Sequence, residues 1–128
     1  MVKRTVVVLL ALGILVGTAL PAQARIIRIG HARARGDYAT VVADGTVNNP
    51  RRIWVTIKAR PNQYADGNYS MVCSRGSGAG SKDGNYSGTT PYRRALRMPY
   101  RRPDNCSVAA LGSLSHSGTI IVILTARV

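Results

Sequence analysis

Few side chains in this chain could take part in a reaction. The carboxylates are five aspartates, Asp37, Asp44, Asp66, Asp83 and Asp104, and there is no glutamate. A glycosidase-like pair would have to be drawn from them, yet Asp66, Asp83 and Asp104 all stand in turn-type sequence, where Asp serves the backbone. A Ser-His-Asp arrangement needs a positioned histidine and an oxyanion hole. The histidines are His31, in an arginine- and alanine-rich stretch, and His116, in a Ser-His-Ser-Gly turn, and no Gly-x-Ser-x-Gly elbow occurs. A metal centre needs at least three protein ligands, more than two histidines supply once the two cysteines pair. The stretch 76–82, Gly-Ser-Gly-Ala-Gly-Ser-Lys, has the glycines of a phosphate loop but not its Gly-Lys-Ser/Thr order opening a helix. The expectation is a protein without catalysis, metal or cofactor.

The residues that could bind are more numerous. Pro91–Cys106 contains Pro-Tyr-Arg-Arg twice, at 91–94 and 99–102, and ends on one of two cysteines. Arg93, Arg97, Arg101 and Arg102 with Tyr100, and Arg52, Trp54, Lys58 and Arg60 on one parity of a second stretch, form a basic surface with interleaved aromatics. Such a surface suits an anionic polymer or single-stranded nucleic acid. Residues 25–37 supply a third set: Arg25, Ile26, Ile27, Arg28, Ile29, Arg33 and Arg35 as a partner-binding arm.

The elements that position these residues begin after residue 24. Lys3 and Arg4, an apolar run to Leu20 and Ala22-Gln23-Ala24 form a signal segment, 1–24, with a small-x-small cleavage site. Its 16-residue apolar run falls short of the roughly 20 that span a bilayer. The mature chain, 25–128, is 104 residues and one domain, with 16 basic and 5 acidic residues and a net charge of +11. Fourteen of the 16 are arginine, Lys58 and Lys82 being the others. A field this positive favours anionic partners, although composition and solubility account for part of it. In an exported domain of this size Cys73 and Cys106 are expected to form a disulfide.

The periodicity after residue 24 is that of strands. Ile27 and Ile29 alternate with Arg28, and Ala32 and Ala34 with His31, Arg33 and Arg35, so 25–37 is an arm or a first edge strand. Strands follow at Tyr38–Val47, Ile53–Arg60, Tyr69–Ser74, Tyr92–Met98, Cys106–Leu111 and Thr119–Arg127. Ile53, Val55, Ile57 and Ala59 share a face opposite Trp54, and the last strand is apolar on both faces, so it is either central and covered or an aggregation hazard. Asp66-Gly67 is expected to be a tight turn and 75–84 a long flexible hairpin loop. Asp-Gly-Asn-Tyr-Ser occurs at both 66–70 and 83–87, each copy read as a turn feeding a strand. The fold class is all-β, an immunoglobulin-like two-sheet sandwich of about seven strands with one disulfide, occupying 38–128; a small β-barrel is the alternative.

Ala43–Pro50, Trp54-Val55, Ser70–Lys82, Thr89–Pro103, Cys106-Ser107-Val108 and Thr119–Arg127 together resemble small secreted actinobacterial proteins with one disulfide and an immunoglobulin-like sandwich. Trp54 precedes both cysteines, unlike the antibody-domain pattern. More loosely, a small secreted sandwich with a leading arm, here Arg25–Asp37, resembles the adaptor subunit of umbrella toxin particles. That resemblance implies a scaffold whose arm inserts into a partner.

The function expected is therefore a secreted, non-enzymatic binding or adaptor module that engages a protein partner through its N-terminal arm. The alternative is a cationic protein that binds anionic polymers, nucleic acid or the cell envelope in an antimicrobial-like manner, and the third is an inhibitor of a trypsin-like protease.

Overall fold

A computed structural model describes residues 25–128. The expected signal segment lies outside the described residues. Eight strands follow in chain order: β1 (Ile26–Asp37), β2 (Thr40–Asn48), β3 (Arg52–Arg60), β4 (Tyr64–Arg75), β5 (Gly78–Thr89), β6 (Tyr92–Leu96), β7 (Asn105–Leu114) and β8 (Ser117–Arg127). They form two four-stranded antiparallel sheets, one ordered β1-β8-β3-β6 and the other β2-β7-β4-β5. The all-β sandwich with one disulfide is as expected. Its strand order is that of a jelly roll, whereas immunoglobulin domains place A, B, E and D against C, F and G.

The core lies between the sheets. Ile53, Val55 and Ile57 of β3, Ile120, Val122 and Leu124 of β8, Met71 of β4 and Ala110 of β7 are fully buried. Their alternation with exposed or half-buried neighbours is the period-2 pattern of the sequence. β8 is central, paired with β1 on one side and β3 on the other. Its inward residues are buried, whereas Ile121 and Ile123 on its outer face are only half-buried, so the strand is central without being covered on both faces. β1 is the edge-strand alternative of the sequence reading: it pairs with β8 from Ile26 to Asp37, and Arg25 and Val128 exchange both backbone hydrogen bonds.

A bulge in β1 explains its change of phase. The register shifts between Arg28 and Gly30, which inserts Ile29 as an extra residue. Ile27 and Gly30 then stand opposite Ala126 and Leu124, and Ala32 and Ala34 stand opposite Val122 and Ile120. All point inward, and His31, Arg33 and Arg35 are turned to solvent. Just beside the bulge, β1 crosses β2 at backbone contact. A Cβ on Gly45 would collide with the Ile29 carbonyl, and one on Gly30 with the Asp44 carbonyl.

Two expectations fail in β4 and β5. Asp66-Gly67 is not a turn but mid-strand, and 75–84 is not a flexible loop: the hairpin turns at Gly76-Ser77 and β5 starts at Gly78. Gly76 takes φ 59° there, a conformation that resists a side chain. The two Asp-Gly-Asn-Tyr-Ser copies pair with each other, antiparallel and in register: Asp66 with Ser87, Gly67 with Tyr86, Asn68 with Asn85, Tyr69 with Gly84 and Ser70 with Asp83. Each tyrosine lies over the glycine of the other copy. An added Cβ on Gly84 would come within 2.6 Å of Tyr69 Cε1, and one on Gly67 within 2.6 Å of Tyr86 Cε1. A glycine-rich strand thus becomes ordered because aromatic rings from elsewhere supply the packing that it lacks.

The same device recurs along the inner side of β5. Tyr92 lies against Gly88, and Tyr100 and Pro99 lie against Gly80. The phenol hydroxyls reach backbone carbonyls: Tyr92 donates to Ala65 O (2.9 Å), Tyr86 to Leu111 O (2.7 Å) and Tyr69 to Arg97 O (3.1 Å), and Tyr69 also accepts from Arg97 N (2.9 Å). Burial pushes the Tyr92 phenol up to about 12, against a smaller lowering by Arg94, and raises that of Tyr86 further for the same first cause. Both copies of Pro-Tyr-Arg-Arg therefore use their tyrosine to cover a glycine of β5.

Cys73 and Cys106 form the expected disulfide, with an S–S distance of 2.05 Å. They are directly opposed in the ladder between β4 and β7, so the bond staples neighbouring strands of one sheet. In the chain-entropy model a loop of this length, 33 residues of separation, stabilises the fold by roughly 3–4 kcal/mol.

Candidate functional site

The outer faces of the two sheets differ in charge, and the pairing registers say which residues share a face. On the outside of the first sheet, Arg35, Thr119 and Arg60 form one row and Arg33, Ile121 and Lys58 the next. Then come His31, Ile123, Thr56 and Arg93, followed by Arg28, Thr125, Trp54 and Ala95. Arg127 and Arg52 close the last row beside Ile26. Eight guanidinium or ammonium groups thus share a face with one histidine. The only acid on these strands is Asp37, at the end of β1.

Trp54 is at the centre of this face and half-buried. The Arg93 guanidinium stands 4.2 Å from its ring centroid and that of Arg127 6.0 Å away. The cation–π contact holds Arg93 over the indole, so the ring serves as a platform for arginine. Ile121 and Ile123 on the same face are half-buried, in rows that also hold Arg33, Lys58 and Arg93.

The outer face of the second sheet carries the opposite sign. Its rows are Thr40, Ser113, Asp66 and Ser87; Val42, Leu111, Asn68 and Asn85; Asp44, Ala109, Ser70 and Asp83; Thr46, Ser107, Val72 and Ser81. Three aspartates and no Arg or Lys occur among them. Hydroxyl and amide pairs bond across it, Thr40 with Ser113 at 2.9 Å and Asn105 Nδ2 with Asn48 Oδ1 at 2.7 Å.

The predicted site residues divide accordingly. Arg28, Arg33 and Arg35 of the expected arm join Arg52, Trp54, Lys58, Arg60 and Arg93 on one surface, an arrangement not anticipated from sequence. Ile27 and Ile29 pack against the core, Ile26 is exposed, and Arg25 stands just before β1, bonded through its backbone to Val128. Arg97 and Arg101 lie apart, with Arg51, Arg52, Met98 and Tyr100, around a shallow groove of about 460 Å³ at one end of the sandwich. Tyr100 spans from this groove to Gly80, and Arg102 is exposed in the β6–β7 connection. Sequence reasoning missed Arg127, whose parity with Ile121 and Ile123 was the available signal, and Arg94, which stacks 4.5 Å over the Tyr92 ring and donates to Ser87 O at 3.1 Å. Among the described residues no three or more His, Cys, Asp or Glu side chains gather as a metal site would require.

No family model and no curated protein matches the chain. Among solved structures it is similar to PirA, at a TM-score of 0.41 and 7% identity over 84% of this chain and 98% of that one. A similar likeness is to TmCBM61 in complex with beta-1,4-galactotriose, at 0.40 and 7% identity over 84% and 88%. Another is to the Glycosylation Associate Protein (Gap123) complex from Streptococcus agalactiae, at 0.40 and 9% identity over 83% of this chain and 24% of that one. At these scores the likenesses carry no argument about function.

Proposed function

We propose that the protein is a secreted, non-enzymatic binding module that holds an anionic polymer against the outer face of its β1-β8-β3-β6 sheet. The observation that carries this reading is the segregation of charge. Eight of the nine cations of β1, β3, β6 and β8 share one face, Arg94 turning instead to Tyr92 and Ser87, and the opposite face of the sandwich holds three aspartates and no cation. Composition or solubility alone would scatter arginines over both faces. A one-sided cationic plane concentrates and steers a polyanion.

The same geometry favours a phosphate- or carboxylate-rich chain over base stacking on the tryptophan, because Arg93 already occupies the Trp54 ring. The adaptor reading shares the idea of a binding module and differs in its surface. In the fold β1 is hydrogen-bonded to β8 along its length, so its arginines contribute as members of a face rather than as a free arm. The disulfide supports export to an oxidising compartment.

The test is affinity chromatography and titration on a polyphosphate-type polymer, single-stranded DNA and a neutral polysaccharide, at several salt concentrations. Six phosphate contacts predict a loss of affinity on the order of a thousandfold between 50 and 200 mM salt. Arg33→Ala, Lys58→Ala and Arg93→Ala should each lower the salt slope, and substitutions of Asn68 or Ser107 on the other face should not. Salt-independent binding, or equal binding of the neutral polymer, would refute the reading.

A further inference from the structure

We propose that β5 is a self-association edge, through which two copies of this chain pair β5 to β5 about a two-fold axis at Asn85. β5 is an outer strand of its sheet, 12 residues long and paired on one side only. Its backbone groups alternate in direction. The disulfide joins Cys73 and Cys106 at a Cα–Cα distance of 4.1 Å, which marks a non-hydrogen-bonded pair in the β4–β7 ladder. Cys73 therefore turns its N–H and C=O toward Gly80 of β5, and the even residues of β5 bond to β4. The unbroken register carries this parity along the strand. Ser81, Asp83, Asn85 and Ser87 consequently aim their N–H and C=O groups outward. The hydrogen bond from Arg94 to the Ser87 carbonyl agrees with this assignment.

An exposed edge of this length is a template for another strand, and the chain itself shows which sequence fits it. Within the molecule, Asp83-Gly-Asn-Tyr-Ser87 already pairs antiparallel with an identical pentapeptide in β4, Asn opposite Asn, Gly opposite Tyr and Asp opposite Ser. A second copy presents the same five residues. Placed antiparallel about Asn85, it repeats those same oppositions, and because every contact is reciprocal the interface closes as an isologous dimer.

Charge favours this edge as well. β5 contains one Lys and one Asp, and the outer face that it extends has no Arg or Lys. Two chains of high positive charge therefore meet at their least positive surface. The outward residues are small and leave room for a neighbouring strand. Arg94 is the one side chain hydrogen-bonded at this edge; it is exposed and swings clear as the strands join. The two-fold axis stands perpendicular to the joined sheets, so both cationic faces point to the same side.

The experiment is sedimentation of the oxidised protein from about 10 µM to about 1 mM, in about 0.15 M salt, which screens the distant charges of the two chains but not charges set directly opposite each other. The expected result is a monomer–dimer equilibrium. Asn85 lies on the axis, so Asn85→Lys and Asn85→Asp each set like charges directly opposite each other. Either alone weakens association by about fivefold or more, and an equal mixture restores it as a heterodimer. Hydrogen exchange on the unaltered chain gives a second reading: the amides of 81, 83, 85 and 87 gain protection as concentration rises, and those of 82, 84 and 86 do not change. A monomer throughout, a dimer indifferent to both substitutions, no rescue in the mixture, or unchanged amides at the odd positions each overturns the proposal. None of these outcomes bears on polymer binding, which is measured with dilute protein.

Discussion

Alanine at Gly84 isolates the packing device that orders β5. Its Cβ would lie 2.6 Å from Tyr69 Cε1 and 3.2 Å from Tyr69 Cζ and Oη, well inside contact. A free tyrosine would swing aside at little cost. Tyr69 is not free, because its hydroxyl accepts from Arg97 N at 2.9 Å and donates to Arg97 O at 3.1 Å. Moving the ring breaks one or both bonds, each worth about 1 kcal/mol, in addition to about 1–3 kcal/mol for overpacking. Gly84→Ala should therefore destabilise by roughly 2–5 kcal/mol, a fall in melting temperature of about 10–25 °C for a domain of this size. At Gly67 the added carbon meets the Leu111 carbonyl as well as the Tyr86 ring. A backbone obstacle cannot rotate away, so Gly67→Ala should cost more. The assay is thermal unfolding of the oxidised protein by near-ultraviolet circular dichroism, with Asn85→Ala as an outward-facing control. In a Tyr69→Leu background the Gly84→Ala penalty should largely vanish. A Gly84→Ala variant within about 0.5 kcal/mol of wild type, one less stable than Gly67→Ala, or a penalty that survives removal of the ring would each refute this role for Tyr69.

Two further outcomes follow from the fold. The Cys73→Ser/Cys106→Ser double variant should lose roughly 3–4 kcal/mol in urea unfolding while retaining its strand content, because the bond staples strands that the ladder already pairs. The two buried tyrosines should make stability fall as pH rises from about 10 toward 12. The Tyr92 phenol, pushed up to about 12 by burial, and that of Tyr86, raised further, hold their protons in the folded chain after those of the unfolded chain have ionised. Urea midpoints across that range, with phenolate absorbance at 295 nm, check both the sign and the window.

The sequence carried more of this fold than a strand count conveys. The alternation over Ile53–Ala59 gave the inner face of β3 outright, and the phase change between Ile27/Ile29 and Ala32/Ala34 was a bulge written in parity. The duplicated Asp-Gly-Asn-Tyr-Ser was visible too, but its meaning was inverted. Asp-Gly was read as a turn because the dipeptide favours one locally. A strand wins at both places because Tyr69 and Tyr86 fill the space above the glycines, a tertiary effect that no local window contains. The glycines of 76–84 misled for the same reason, since Tyr100 and Pro99 reach Gly80 from a connection some twenty residues away. On the cationic face each strand's outward residues were legible singly. Their union on one face was not, because it depends on β1 and β3 flanking β8, an order that periodicity does not encode.

That order has a consequence for how the chain becomes a protein. β8 is the last of the described strands and the one around which the first sheet is assembled, with ladders to both β1 and β3. A chain that emerges β1 first must carry β1 without a sheet partner, and β3 paired with β6 on one edge only, until almost every other strand has appeared. Contacts between such distant segments are slow to form, so assembly is governed by the arrival of 117–127 rather than by growth from one end. The like charges on the outward positions of β1 and β3 disfavour a direct pairing of these two strands, which is the mispairing open to them until β8 stands between them.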